Sequence, residues 1–148
     1  MDAADILSPA QLAKVSKLFE LLDDPGRLRL LSSGTRRNEP KGKVVCREGD
    51  LGTEFYVVVR GKLSVTADDF GTAKAIAVLG PGAFFGEMAV VGNQPRSATV
   101  EVLEDAELLI FGRAIVEEIL REYPVVRTAL GKVGVQRAEQ LMEKLSTS

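Results

Sequence analysis

Leu79-Gly80-Pro81-Gly82-Ala83-Phe84-Phe85-Gly86-Glu87-Met88-Ala89-Val90-Val91-Gly92-Asn93-Gln94-Pro95-Arg96-Ser97-Ala98-Thr99-Val100 decides how the rest of the chain is read. Gly86 and Gly92 bracket a run just long enough for one or two helical turns. The first amides of such a helix lack backbone partners and carry partial positive charge, which suits them to an anion. Gly86 has no side chain, so a ligand can come close to its backbone. Arg96 follows next to Pro95, and an arginine presents a planar fork of donors that matches two phosphate oxygens. Ser97 adds a hydroxyl donor. Glu87 would repel a phosphate at contact distance, so it must face another part of a ligand, and a sugar hydroxyl is the natural partner for a carboxylate. An anion cradle with one arginine and one carboxylate points to a phosphorylated sugar. Taken singly, Glu87 also reads as an acid at a helix start, Arg96 as a solvated or ion-paired side chain, and Ser97 as the end of a turn. Their common register favours a site. Gly80-Pro81-Gly82 is a turn signal and lacks the Lys-Ser/Thr ending of an ATP-binding P-loop.

Around this stretch, from Gly42 to Phe111, short β-branched runs alternate with Gly, Pro and Asp. Strands are expected at Lys43–Arg47, Phe55–Arg60, Lys62–Ala67, Ala75–Leu79, Ser97–Leu103 and Leu108–Phe111. Ala98, Val100 and Val102 alternate with Thr99 and Glu101, as a half-buried strand requires. Asp68-Asp69-Phe70-Gly71 reads as a hairpin tip. Many short strands with regular turn signals indicate a barrel or jelly roll.

Helices flank the strands. Ser8-Pro9-Ala10-Gln11 reads as a capped start, and Leu12, Val15, Leu18, Phe19 and Leu22 then recur at helical spacing. Asp23-Asp24-Pro25-Gly26 reads as a stop, with a short second helix near Arg27 to Leu31. After Gly112, the residues Ile115, Val116, Ile119 and Leu120 form one apolar stripe, and Pro124 breaks or kinks the chain. A last helix is expected from about Val125 to Leu145, with Val126, Leu130, Val133, Leu141 and Leu145 on one side. Gly131 and Gly134 inside it each cost about 1 kcal/mol relative to Ala, so it needs a surface to dock on. The expected fold class is α+β: a β jelly-roll barrel with N-terminal helices, a short phosphate-cassette helix and two C-terminal helices. One domain spans 1–148, divided into an N-terminal helical segment (1–41), the barrel (42–111, cassette 85–100) and the C-terminal helices (112–148).

The 148 residues fit one domain and suffice to bury a core without staples. The single cysteine, Cys46, rules out an internal disulfide and a cysteine-based zinc site, and its apolar surroundings mark it as a core residue. There is no histidine, which excludes histidine acid–base chemistry, the usual catalytic triads and histidine-ligated metals. The net charge of −2 comes without a basic run for nucleic acid, and no apolar stretch is long enough to span a membrane. The acidic N-terminus Met1-Asp2-Ala3-Ala4-Asp5 lacks the basic region of a signal peptide. A cytoplasmic protein is expected, and Met1 with a capped first helix favours a complete small protein.

Phe85-Gly86-Glu87-Met88-Ala89, followed by Pro95-Arg96-Ser97-Ala98-Thr99-Val100, resembles the phosphate-binding cassette of the cyclic-nucleotide-binding family. That family includes the bacterial catabolite activator protein, regulatory subunits of cyclic-nucleotide-dependent kinases, and cyclic-nucleotide-gated channels. Glu48-Gly49-Asp50 and Phe55-Tyr56-Val57-Val58-Val59-Arg60-Gly61 resemble the family's early strands, and the order of helix, barrel and two helices is similar too. The resemblance implies a non-enzymatic sensor for a purine 3′,5′-cyclic monophosphate, cAMP favoured over cGMP, with no other cofactor and no metal. It implies that Gly86 and Glu87 meet the ribose 2′-hydroxyl and that Arg96 pairs with the exocyclic phosphate oxygens. Amides near Met88, Ala89 and Ser97 complete the cradle, and Val65 and Leu79 flank the base. The last helix supplies a lid, with Arg137 as the candidate and Leu130, Val133 and Leu141 as apolar alternatives. Arg137 shares a charged helix with Lys132, Glu139 and Glu143, which reads equally well as a solvated face. The family often carries Asp where Thr53 stands. The implied partners are the cyclic nucleotide and an unidentified effector protein, with neither nucleic acid nor membrane, and the last helix could seat a homodimer. Two other readings stand beside this one. The first is an interaction scaffold of the same fold with a vestigial pocket. The second is a small barrel enzyme, for which no nucleophile–base pair is visible.

Overall fold

A computed structural model describes residues 17–86 and 95–132. Phe55-Tyr56-Val57-Val58-Val59 is apolar at every position, and the fold buries both of its sides. Alternate residues of a strand point to opposite faces. Phe55, Val57 and Val59 join Leu109 and Phe111 in a core against the helices. Tyr56 and Val58 join Leu108 and Ile110 in a second core inside the barrel.

The elements in chain order are α1 (Lys17–Glu20), α2 (Asp24–Ser33), β1 (Thr35–Glu39), β2 (Val44–Cys46), β3 (Phe55–Asp69), β4 (Thr72–Leu79), β5 (Phe84–Phe85), β6 (Thr99–Phe111) and α3 (Arg113–Glu122). Residues 124–132 are helical as well. The sheet runs β1-β6-β3-β4, with β2 also paired to β6 and β5 to β3. Every pairing is antiparallel. This is the jelly-roll arrangement expected from the sequence.

Four expectations are corrected. Asp23-Asp24-Pro25-Gly26 starts a helix instead of stopping one: the Asp23 carboxylate accepts from the Gly26 amide at 2.9 Å and caps α2, with Pro25 in its first turn. The segment 1–41 is not wholly helical, because Thr35-Arg36-Arg37-Asn38-Glu39 forms β1 on β6. Phe55–Arg60 and Lys62–Ala67 belong to one strand, β3, and Ser97–Leu103 and Leu108–Phe111 are joined in β6. The strands bend without ending at Gly61, whose φ is +94°. A Cβ there would lie 2.5 Å from the Asp105 carbonyl oxygen and 2.6 Å from Ala106 Cα, so only glycine lets the two strands cross so closely. The fourth correction concerns Leu130, which is taken up below.

The Asp68–Gly71 hairpin is as expected. Phe70 (φ 55°) and Gly71 (φ 91°) are both left-handed, as a tight two-residue hairpin needs, and the Asp68 carboxylate accepts from the Gly71 amide at 3.1 Å. In α3, Val116, Ile119 and Leu120 face the helical core. Tyr123 ends α3, and its hydroxyl donates to Asp23 at 2.5 Å, beside an Arg29–Glu122 ion pair of 2.6 Å. No described helix is long and apolar enough to cross a membrane.

Candidate functional site

Arg96 is the centre of the site. Its backbone is pinned at both ends to the loop before β3: the Arg96 amide donates to the Asp50 carbonyl and the Gly49 amide donates to the Arg96 carbonyl, each at 2.8 Å. The Glu48 amide also reaches the Thr99 hydroxyl at 3.1 Å. The stretch Glu48-Gly49-Asp50 therefore works as a clamp on the start of β6.

The Arg96 side chain turns inward and is only 9% exposed. Its Nη2 donates to the Glu54 carbonyl at 3.0 Å, and its Nη1 lies 3.5 Å from the Gly86 carbonyl. The guanidinium carbon sits 5.6 Å from the centroid of the Tyr56 ring, within cation–π range. Among the described residues no carboxylate forms an ion pair with it. Burying a cation away from any opposite charge is costly, and the described residues around this one offer only carbonyls and a ring.

Gly86 ends the β5 approach with φ +90°. A Cβ on it would lie 2.7 Å from both Arg96 Nη1 and the Glu54 carbonyl oxygen, so its glycine identity follows from backbone and space together. Tyr56 and Phe85 are paired in register between β3 and β5 and stack at 4.6 Å with ring planes 9° apart. The Tyr56 hydroxyl donates to Glu54 Oε1 at 3.0 Å. Burial, followed by nearby Cys46 and Glu54, raises the Tyr56 hydroxyl pKa far above the usual tyrosine range. Burial likewise raises the Cys46 thiol, which lies in the barrel core as expected.

The remaining expected residues divide as follows. Val65 and Leu79 are half-buried and pack on the same barrel core as Tyr56 and Phe85. Val65 faces Ala77 on β4 and Val100 on β6, while Leu79 faces Leu63. Ser97 is exposed directly after Arg96, and Thr53 is exposed in the loop before β3. Glu87, Met88, Ala89 and Arg137, with Val133 and Leu141, lie outside the described residues, as does the expected cassette helix. In this structure Leu130 does not stand as a lid: it is buried among the helices with Leu120 and Val126, on the far side of β3 from the barrel interior. Sequence reading missed Gly52, Glu54 and Tyr56, which surround the Arg96 guanidinium. Glu54 serves through its backbone carbonyl, which leaves no trace in side-chain chemistry.

The profile of the cyclic nucleotide-binding domain matches residues 36–123. A cyclic nucleotide-gated potassium channel of Mesorhizobium japonicum is 32% identical over 133 residues, covering 90% of this chain and 36% of the channel. The cyclic AMP receptor protein of Thermus thermophilus is 35% identical over 111 residues, covering 74% of this chain and 51% of that protein. Among solved structures, the catabolite activator protein of Thermus thermophilus matches with a TM-score of 0.77 at 33% identity, over 88% of this chain and 62% of that one. The regulatory domain of Toxoplasma gondii PKA, crystallised with cAMP, matches with a TM-score of 0.74 at 29% identity, over 89% of this chain and 48% of that one. The chain thus spans 36% and 51% of the lengths of these two curated relatives.

Proposed function

The chain belongs to the cyclic nucleotide-binding domain family, and from that premise we propose that it binds a purine 3′,5′-cyclic monophosphate, cAMP in preference to cGMP, as a non-catalytic sensor. The observation that carries the reading is the Arg96 guanidinium, buried beside Gly86 with carbonyls and a ring for company and no carboxylate among the described residues. A cyclic phosphate would bring the negative charge that no described residue places beside the guanidinium. The matched relatives include one whose structure holds cAMP.

In this reading Gly86 and Glu87 take the ribose, Arg96 takes the exocyclic oxygens, amides near Met88, Ala89 and Ser97 complete the phosphate cradle, and Val65 and Leu79 flank the base. Arg137 covers the purine from the last helix. Residues 1–148 act as one domain in the cytoplasm. Ligand binding shifts the helices after Pro124, and that change is passed to a separate effector protein. Such a shift follows only if the ligand prefers one arrangement of the helices.

Isothermal calorimetry with cAMP, cGMP and linear AMP tests the reading. The expected order is cAMP first, cGMP weaker and AMP weakest. Absence of heat with both cyclic nucleotides refutes it and leaves the scaffold with a vestigial pocket. Hydrogen exchange that is unchanged after Pro124 on adding cAMP refutes the helix shift alone.

A further inference from the structure

Granted that Arg96 meets the phosphate, we infer that Gly52 and Tyr56 are positioning residues that hold its guanidinium in a slot one layer thick. A Cβ on Gly52 would fall on the guanidinium itself, against Nη2, Nε and Cζ. Gly52 does not adopt a left-handed φ, so what its glycine identity provides is space. On the opposite side lies the Tyr56 ring, 5.6 Å from Arg96 Cζ.

That ring is itself fixed. Phe85 stacks on it at 4.6 Å and 9°, and its hydroxyl is tied to Glu54 Oε1 at 3.0 Å. The slot's edges are the Glu54 and Gly86 carbonyls. Backbone, ring and two carbonyls thus fix the fork before any ligand arrives. A preformed fork loses less freedom on binding than a solvated arginine does.

Gly52 sits between exposed Leu51 and Thr53, and the three atoms nearest a methyl group there all belong to the Arg96 guanidinium. Gly52→Ala is expected to weaken cAMP binding about tenfold or more while leaving the melting temperature of the ligand-free protein in place. Tyr56→Phe keeps the flat ring and is expected to bind within about threefold of wild type, whereas Tyr56→Leu loses the ring face and falls with Gly52→Ala.

A purely structural defect lowers affinity for all ligands alike. A displaced fork also changes how it meets each of the two exocyclic oxygens. The decisive readout is therefore calorimetry with the two phosphorothioate diastereomers of cAMP, in which one or the other oxygen is replaced by sulfur. Wild type is expected to separate the pair, and Gly52→Ala to draw their affinities together. Gly52→Ala that keeps both the cAMP affinity and the diastereomer ratio overturns the inference while the parent reading stands. A wild type that binds no cyclic nucleotide overturns the parent reading and the slot with it. Should Tyr56→Leu fail to fold, Gly52→Ala and Tyr56→Phe still decide the matter.

Discussion

Replacing Arg96 with alanine has opposite consequences for the empty and the occupied protein. Among the described residues, and without ligand, the guanidinium makes one good hydrogen bond, to the Glu54 carbonyl at 3.0 Å, and one at the distance limit, to Gly86 at 3.5 Å. A hydrogen bond from a charged donor contributes about 1.5–3 kcal/mol, and a partly buried cation–π contact about 1 kcal/mol. Against this stands the desolvation of a cation that is 9% exposed and has no ion pair among the described residues, a cost of several kcal/mol. The two sides nearly cancel, so Arg96→Ala should move ligand-free stability by no more than about 1 kcal/mol in either direction. With cAMP present the same substitution leaves the phosphate charge unpaired and should cost roughly 2–5 kcal/mol of binding, a loss of about thirty- to several-thousand-fold in affinity. The assay pairs urea denaturation of the empty protein with calorimetry. An affinity loss below about threefold, or an empty protein destabilised by as much as the binding is weakened, refutes the reasoning.

Three further outcomes are expected. Phe111 is fully buried and its ring lies 6.1 Å from Phe19 and 6.4 Å from Phe55, so Phe111→Ala should lower stability by about 3–5 kcal/mol, with a lower urea midpoint and an unchanged slope; a loss under about 1 kcal/mol contradicts its central place. The Tyr123 hydroxyl, then the Gly26 amide, hold the Asp23 carboxyl below its ordinary pKa. Its stabilisation is therefore present above the unfolded value of about 3.9 and is lost as pH falls through the lower folded value. The melting-temperature gap between wild type and Asp23→Asn should be open at neutral pH and close in acid, and a pH-independent gap refutes the contact. Cys46, buried and with its pKa raised, should react with an aromatic disulfide reagent far more slowly in the native protein than in urea, and equal rates contradict its burial.

The apolar pattern made the barrel legible and hid its corners. Arg60-Gly61 and Glu104-Asp105 look like breaks between strands, yet β3 and β6 run through them, because Gly61 lets the backbones cross and Arg60 reaches Glu107 at 2.8 Å. β1 escaped notice because Thr35-Arg36-Arg37-Asn38-Glu39 has no apolar alternation. Its pairing is supplied by β6, and Arg36 forms an ion pair with the buried Glu107. Asp23-Asp24-Pro25-Gly26 carries the same residues whether it ends one helix or begins the next, and the cap on Gly26 decides for the latter. At the site, the sequence singles out Gly86 and Arg96 because glycine and arginine at that spacing suit an anion, and the fold brings the two together. Gly52 and Tyr56 were not legible, since their role depends on where the folded chain lays the Arg96 side chain. Leu130 shares its helical stripe with the lid candidates, and only packing shows that it is already used in the helical core.

A crystal structure of the protein with cAMP tests the pairing of guanidinium and cyclic phosphate most directly. Arg96 nitrogens are expected about 2.7–2.9 Å from the exocyclic phosphate oxygens, with Gly52 and the Tyr56 ring still on either side of the fork. Nucleotide bound elsewhere, or density showing Arg96 still committed to the Glu54 and Gly86 carbonyls beside an empty pocket, would contradict the account.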